Sequence, residues 1–140
     1  MNYLLDTNII SELVSKKPNS QVVQWLTKIP VNNTFLSVLT LGEIRKGIEK
    51  VADLNRKQQL LIWLNNELPT MFHQRILPIT LEIAEHWGKL QAQIKRSLPA
   101  IDSLLAATAL HRDMTLVTHN VKDFCDCPGL EIINPWIGGK

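Results

Sequence analysis

The chain has 140 residues, 45% hydrophobic and 20% charged, a size suited to one domain with its own core. Lys and Arg total 15 against 13 Asp and Glu, and the resulting net charge of +2 excludes both a highly acidic disordered chain and a polybasic tail. Two cysteines, Cys125 and Cys127, neither build a disulfide framework nor complete a four-ligand zinc site, and no apolar run reaches the roughly 18–20 residues of a membrane span.

Tyr3-Leu4-Leu5 is a short apolar run ending at Asp6-Thr7-Asn8, which reads as a buried first strand and a turn. Asp6 falls where a signal peptide would still be apolar, so no leader is expected and the setting is a reducing cytoplasm. Ile9 to Val14 is helical. Asn19-Ser20 caps a second helix with Val22, Val23, Leu26 and Ile29 on one face. Thr34–Ser37 is a second strand, and Leu39 to Val51 returns to helix. Leu60, Leu61, Leu64 and Leu68 mark a fourth helix, which Pro69 should end. Pro78 confines the Ile76–Ile79 segment to a sheet edge or a strand end.

Ile83, Ala84, Trp87, Leu90 and Ile94 form the stripe of a long helix, and Pro99 suits the first turn of the next, Ala100 to Arg112. Thr115–Thr118 is a strand, His119 to Pro128 a loop with a short turn, and Glu131–Ile133 a last strand. Short apolar strands alternating with helices predict one α/β domain over residues 1–140. Its parallel sheet of four to five strands should be covered by helices on both faces.

Ligands of open α/β sheets bind at the carboxyl ends of the strands, and that rule sorts the acids. Asp6 follows the first strand, Glu43 lies a turn into the helix after the second, Asp102 opens the Ala100 helix, and Asp123 follows Thr115–Thr118 with Asn120 nearer its end. Each has a local alternative. Asp6 could cap a helix, Thr40-Leu41-Gly42-Glu43 fits a capping box, Asp102 could serve the helix dipole, and Asp123 could hold a turn. Together they would repel, at about 4 kcal/mol for a pair ~4 Å apart in an effective dielectric near 20. A hard cation relieves this, and carboxylates with water suit Mg²⁺ or Mn²⁺, which activate water and neutralise charge on a phosphodiester.

At these residues the chain resembles the PIN-domain ribonucleases, and in particular the VapC-type toxins of type II toxin–antitoxin pairs, FitB-like branch. The likeness is carried in order by Leu4–Glu12 and Leu36-Ser37, then by Gly42-Glu43-Ile44 with Gly47. Ile101-Asp102, Ala106–Ala109, Leu116–Phe124 and Asn134-Pro135-Trp136 complete it. It implies an Mg²⁺-dependent endoribonuclease with Asp6 and Asp102 on the principal ion. Glu43, with Asp123 or Asn120 in the fourth position, would complete its water shell, and Asn8 and Thr118 match supporting polar positions. Cleavage in this family leaves a 5′-phosphate and a 3′-hydroxyl. His119 stands where arginine is frequent.

The resemblance also implies an RNA substrate (tRNA, rRNA or mRNA), a VapB-like antitoxin whose arm covers the acidic pocket, a homodimer, and operator DNA reached only through the antitoxin. With four acids facing metal, nine of the 13 acids remain against 15 basic residues, +6 elsewhere. Arg45, Lys46, His119 and Lys122, with Lys16, Lys17, Lys95 and Arg96, are candidates for a phosphate track. Trp63 and Trp87 read as core, Trp25 is ambiguous, and His73, His86 and His111 take no role. A phosphotransferase with a strand-end aspartate is disfavoured because Asn8 stands where its second aspartate belongs. The alternative from another class is a catalytically silent module acting within a DNA-binding repressor complex.

Overall fold

The structure, a computed structural model, describes residues 1–137; the last three residues of the expected 1–140 domain lie outside the described residues. Five parallel strands, β1 (Tyr3–Leu5), β2 (Thr34–Ser37), β3 (Ile76–Leu77), β4 (Thr115–Val117) and β5 (Ile132–Ile133), form one sheet in the order β3-β2-β1-β4-β5. The chain builds outward from β1 to β3 and then crosses to the other side of β1. The carboxyl ends of β1 and β4 therefore flank the switch point where such sheets open a crevice.

Alternation along the strands explains why both faces are covered. Leu4 and Leu116 are fully buried on one face, against α6 (Leu81–Gln93), α7 (Ala100–His111) and Phe124 of the short α8 (Val121–Phe124). Leu5 and Val117 point the opposite way. They meet Ile9 and Ile10 of α1 (Thr7–Leu13), Val22 of α2 (Ser20–Thr27), and Ile44 and Ile48 of α3 (Val38–Glu49). Apolar residues on both sides of each strand are what a doubly covered parallel sheet requires. β3 is an edge strand that Pro78 follows, as expected.

Several local expectations are corrected. Pro69 does not end the fourth helix: α4 (Leu54–Ile62) runs into a π-helical turn, Trp63–Glu67, and on into α5 (Leu68–Met71), with Pro69 in its first turn. The wider π turn carries the chain to a position where a missing N–H costs nothing. Thr40 does not open a capping box. Ser37 caps α3 instead, its hydroxyl accepting from the Leu39 N–H at 3.1 Å, so Thr40 lies inside the helix. Val23 faces solvent although Val22 is fully buried, because consecutive helical residues point about 100° apart. Ile29 lies beyond the end of α2.

Candidate active site

At the end of β1 the chain turns directly into α1, and Asp6 makes the junction. Its Oδ1 accepts the Thr7 N–H at 2.7 Å as the helix N-cap, and its Oδ2 accepts from the Thr118 hydroxyl at 2.8 Å and the Asn8 amide at 3.3 Å. The cap role and a site role therefore coincide in one residue. Asn8 also accepts the His119 N–H through Oδ1 at 3.2 Å, and Thr118 Oγ1 accepts the Asn120 N–H at 3.0 Å. The segment after β4 is thus laced to the end of β1. Thr7 has a second function: its hydroxyl donates to Glu43 Oε1 at 2.7 Å and brings the α3 carboxylate to the same rim.

Asp6, Glu43, Asp102 and Asn120 line one cavity of about 640 Å³, together with Asn8 and His119. Asp123 is placed differently. It lines an adjoining cavity of about 430 Å³, which meets the first at His119 and Asn120, and its charge still reaches Asp102. The sequence reading missed Thr7, Ser11 and Glu12, which also line the acidic cavity. Thr7 and Ser11, like Asn8 and Glu12, are four apart on α1, so helical spacing from the strand-end Asp6 was the available signal.

Burial pushes the Asp6 carboxyl above its ordinary range; its three donors pull it down and the Glu43 charge pushes it up. At 5% exposure Asp6 is nearly closed to bulk water. Asp102 is pushed up to about 6, first by desolvation and then by the charges of Asp6, Asp123 and Glu43. Among the described residues none of these four acids has a Lys, Arg or His within ion-pair distance, and no hydrogen-bond donor reaches Asp102.

Two of the expected phosphate contacts already have partners within the chain. Arg45 is engaged with Glu49 at 2.6 Å along α3. Arg96 pairs with Asp126, and its Nη2 donates to the carbonyls of Lys122 and Asp123, both at 2.9 Å, closing the end of α8. Lys16, Lys17, Lys46 and Lys95 are exposed and stand outside the acidic cavity, whereas His119 lines it and Lys122 lines its neighbour. Trp63 and Trp87 pack against the two cores as expected, and Trp25 stands edge-on to Tyr3 at 5.3 Å.

Among the described residues no three His, Cys, Asp or Glu side chains are closed up to the spacing that grips a single ion. The donor chemistry nonetheless fits a hard divalent cation. The groups are carboxylate, amide and hydroxyl oxygens, their charge meets no ion-pair partner among the described residues, and burial, with the neighbouring acids' charges, makes Asp6 and Asp102 resist ionisation.

A parallel α/β sheet with this acidic crevice at the β1–β4 switch point defines a class, and the PIN domain family matches residues 3–130. The chain belongs to that family. It is 31% identical to Toxin FitB of Neisseria gonorrhoeae over 136 residues, covering 95% of this chain and 97% of FitB. It is 32% identical to VapC ribonuclease Y4jK of Sinorhizobium fredii, covering 95% and 96%. The fold superposes with a TM-score of 0.89 on a chain of FitAB bound to a DNA fragment, at 30% identity and covering 96% of this chain and 95% of that one.

Proposed function

We propose that this chain is the toxin of a type II toxin–antitoxin pair, an endoribonuclease that uses Mg²⁺, with Mn²⁺ as a substitute, to hydrolyse RNA phosphodiester bonds in the cytoplasm. The observation that carries the reading is the meeting of Asp6, Glu43 and Asp102 around one cavity with no ion-pair partner among the described residues. Similarity to Toxin FitB and to a VapC ribonuclease supports it.

Asp6 and Asp102 would hold the ion, with Glu43 and either Asn120 or Asp123 completing or orienting its water. When bound, such an ion supplies Lewis acidity, a more acidic water and neutralisation of phosphate charge. The chain's own contribution is orientation. Thr118, the Thr7 N–H and Asn8 fix both oxygens of Asp6, and the Thr7 hydroxyl fixes Glu43. Asn8 and Thr118 hold the His119-Asn120 backbone at the cavity edge, where the RNA backbone would pass.

An unchecked nuclease of this kind needs a restraint, and a VapB-like antitoxin arm bearing an arginine complements the unpaired carboxylates. The likeness to a chain of FitAB bound to a DNA fragment supports a partner through which the complex reaches DNA; the operator as that DNA and a homodimeric toxin belong to the same proposal. The test is sequencing of RNA ends after brief expression, paired with cleavage by the purified protein. Cuts leaving a 5′-phosphate should appear with Mg²⁺ and vanish with EDTA, Asp6→Ala or Asp102→Ala, while circular dichroism stays native. Full activity in either variant, or in EDTA, overturns the reading.

A further inference from the structure

The acidic cavity has a neighbour in which Lys122, Asn134 and Ile137 take no part in the proposed reaction. About 430 Å³ in volume, it lies within the roughly 300–1,000 Å³ of small-molecule sites and joins the acidic cavity through His119 and Asn120, which line both. His119 is exposed at this ridge but is not loose: its N–H is bonded to Asn8, and Trp136 meets its ring edge-to-face at 4.4 Å and 84°. An edge-to-face partner leaves at least one face of the imidazole uncovered by that partner, and His119 is exposed.

The remaining walls are chemically mixed. Ile137, 67% exposed, supplies apolar surface, and Asn134 accepts the Trp136 N–H through its Oδ1, which leaves its amide N–H groups to donate. Lys122 makes no ion pair among the described residues, and Asp123 on the same wall would repel a phosphate and favour its approach to Lys122. A flat aromatic face, amide edges and one cation, a step away from unpaired carboxylates, match a nucleotide: ring, base edge and phosphate.

We propose that this second cavity binds the nucleotide adjoining the scissile phosphate, its base stacked on His119 and its phosphate on Lys122. The inference rests on the nuclease reading above and deepens it. A base can enter only when splayed out of a helix, so the preferred substrate is single-stranded RNA.

The test is fluorescence anisotropy with a labelled, mixed-sequence twelve-nucleotide single-stranded RNA and a same-length abasic strand. The protein is the full chain carrying Asp102→Asn, free of metal. The RNA should bind at least about fivefold more tightly than the abasic strand. Adding His119→Ala should abolish that preference, and His119→Phe, which keeps a ring without the imidazole, should retain it within about twofold. Neither should alter the salt dependence, whereas Lys122→Ala should lower the log–log slope by about 0.7. Equal affinity for the two strands, or His119→Phe binding as weakly as His119→Ala, overturns the proposal. RNA cleavage by the parent chain, with binding unaffected by His119→Ala, sinks the subsite alone. Failure of the parent chain to cleave RNA with any divalent ion, with the His119-dependent preference intact, sinks the nuclease reading and leaves the subsite standing.

Discussion

Replacing Asp102 by Asn should make the metal-free protein more stable at pH 8, which is the reverse of what loss of a structural residue does. The carboxyl titrates near 6 in the fold against 3.8 for the ordinary group. The folded state therefore holds a proton that the unfolded chain has already released, and stability falls as pH rises from about 4 to 6. Above pH 6 the full penalty is present. It is at most about 3 kcal/mol from the pKa difference, and solvent screening of a half-buried group reduces it to about 1–2 kcal/mol. The neutral amide of the Asp102→Asn variant would carry none of that cost, and the substitution abandons no hydrogen bond found among the described residues.

For a domain of this size about 1 kcal/mol moves Tm by roughly 3–4 °C, so Asp102→Asn should raise Tm at pH 8 in EDTA by about 3–8 °C. At pH 5, between the ordinary and the folded value, only about half of that penalty has developed, so the gain should shrink to about half. Adding Mg²⁺ should reverse the order. An ion at a hundred times its Kd stabilises the wild type by about 2.7 kcal/mol, more than the variant's advantage of about 1–2 kcal/mol, and gives the variant little. Differential scanning fluorimetry at both pH values, with and without Mg²⁺, reads all of this. A variant melting at or below wild type at pH 8 in EDTA, or gaining equally at pH 5, would refute the charge-crowding argument.

Divalent-ion affinity should fall about tenfold per pH unit below 6, since a proton must leave Asp102 before the ion binds; calorimetric titration with Mn²⁺ at pH 5, 6 and 7 measures it, and a flat profile contradicts it. Thr118→Val removes a hydroxyl donor from the buried Asp6 and should cost about 1–3 kcal/mol in urea unfolding at pH 7, with less than about 0.5 kcal/mol counting against the bond. Arg96→Ala frees the carbonyls that close α8, so amide exchange should quicken over residues 121–127 while the protection of β1 and β4 is kept; uniform change across the chain would deny Arg96 that local role.

The elements that were legible in the sequence are those whose signal is local. Leu4-Leu5 and Leu116-Val117 announce buried strands because every residue is apolar, and a strand-end acid such as Asp6 stands out against that background. What escaped depends on partners far along the chain. Glu43 is expected at the site from the sequence, but what holds it there is not: its spacing suggests a capping box, yet Ser37 ends β2 and starts α3 in one residue, and Glu43 is turned toward Thr7, 36 positions away. Arg96 reads as a phosphate contact until α8 is folded against it, when its planar fork finds two carbonyls and Asp126. Pro69 is a helix stop only if the preceding turn is α-helical, and here that turn is π.

The acids also divide into unlike kinds, and the division bears on how an ion would be captured. Asp6 is buried and held by three donors, so its two oxygens are fixed before anything binds. Asp102 sits in the first turn of α7, half-buried, with no donor among the described residues and the like charges of three acids acting on it. A rigid carboxylate supplies direction at no further entropic cost, and a crowded one supplies driving force, because its repulsion is relieved only when a cation arrives. Glu43 lies between these extremes, held at one oxygen by Thr7 and with no donor to the other among the described residues. A site with every acid hydrogen-bonded like Asp6 would have less to gain from the ion, and one with every acid placed like Asp102 would have no fixed point to receive it.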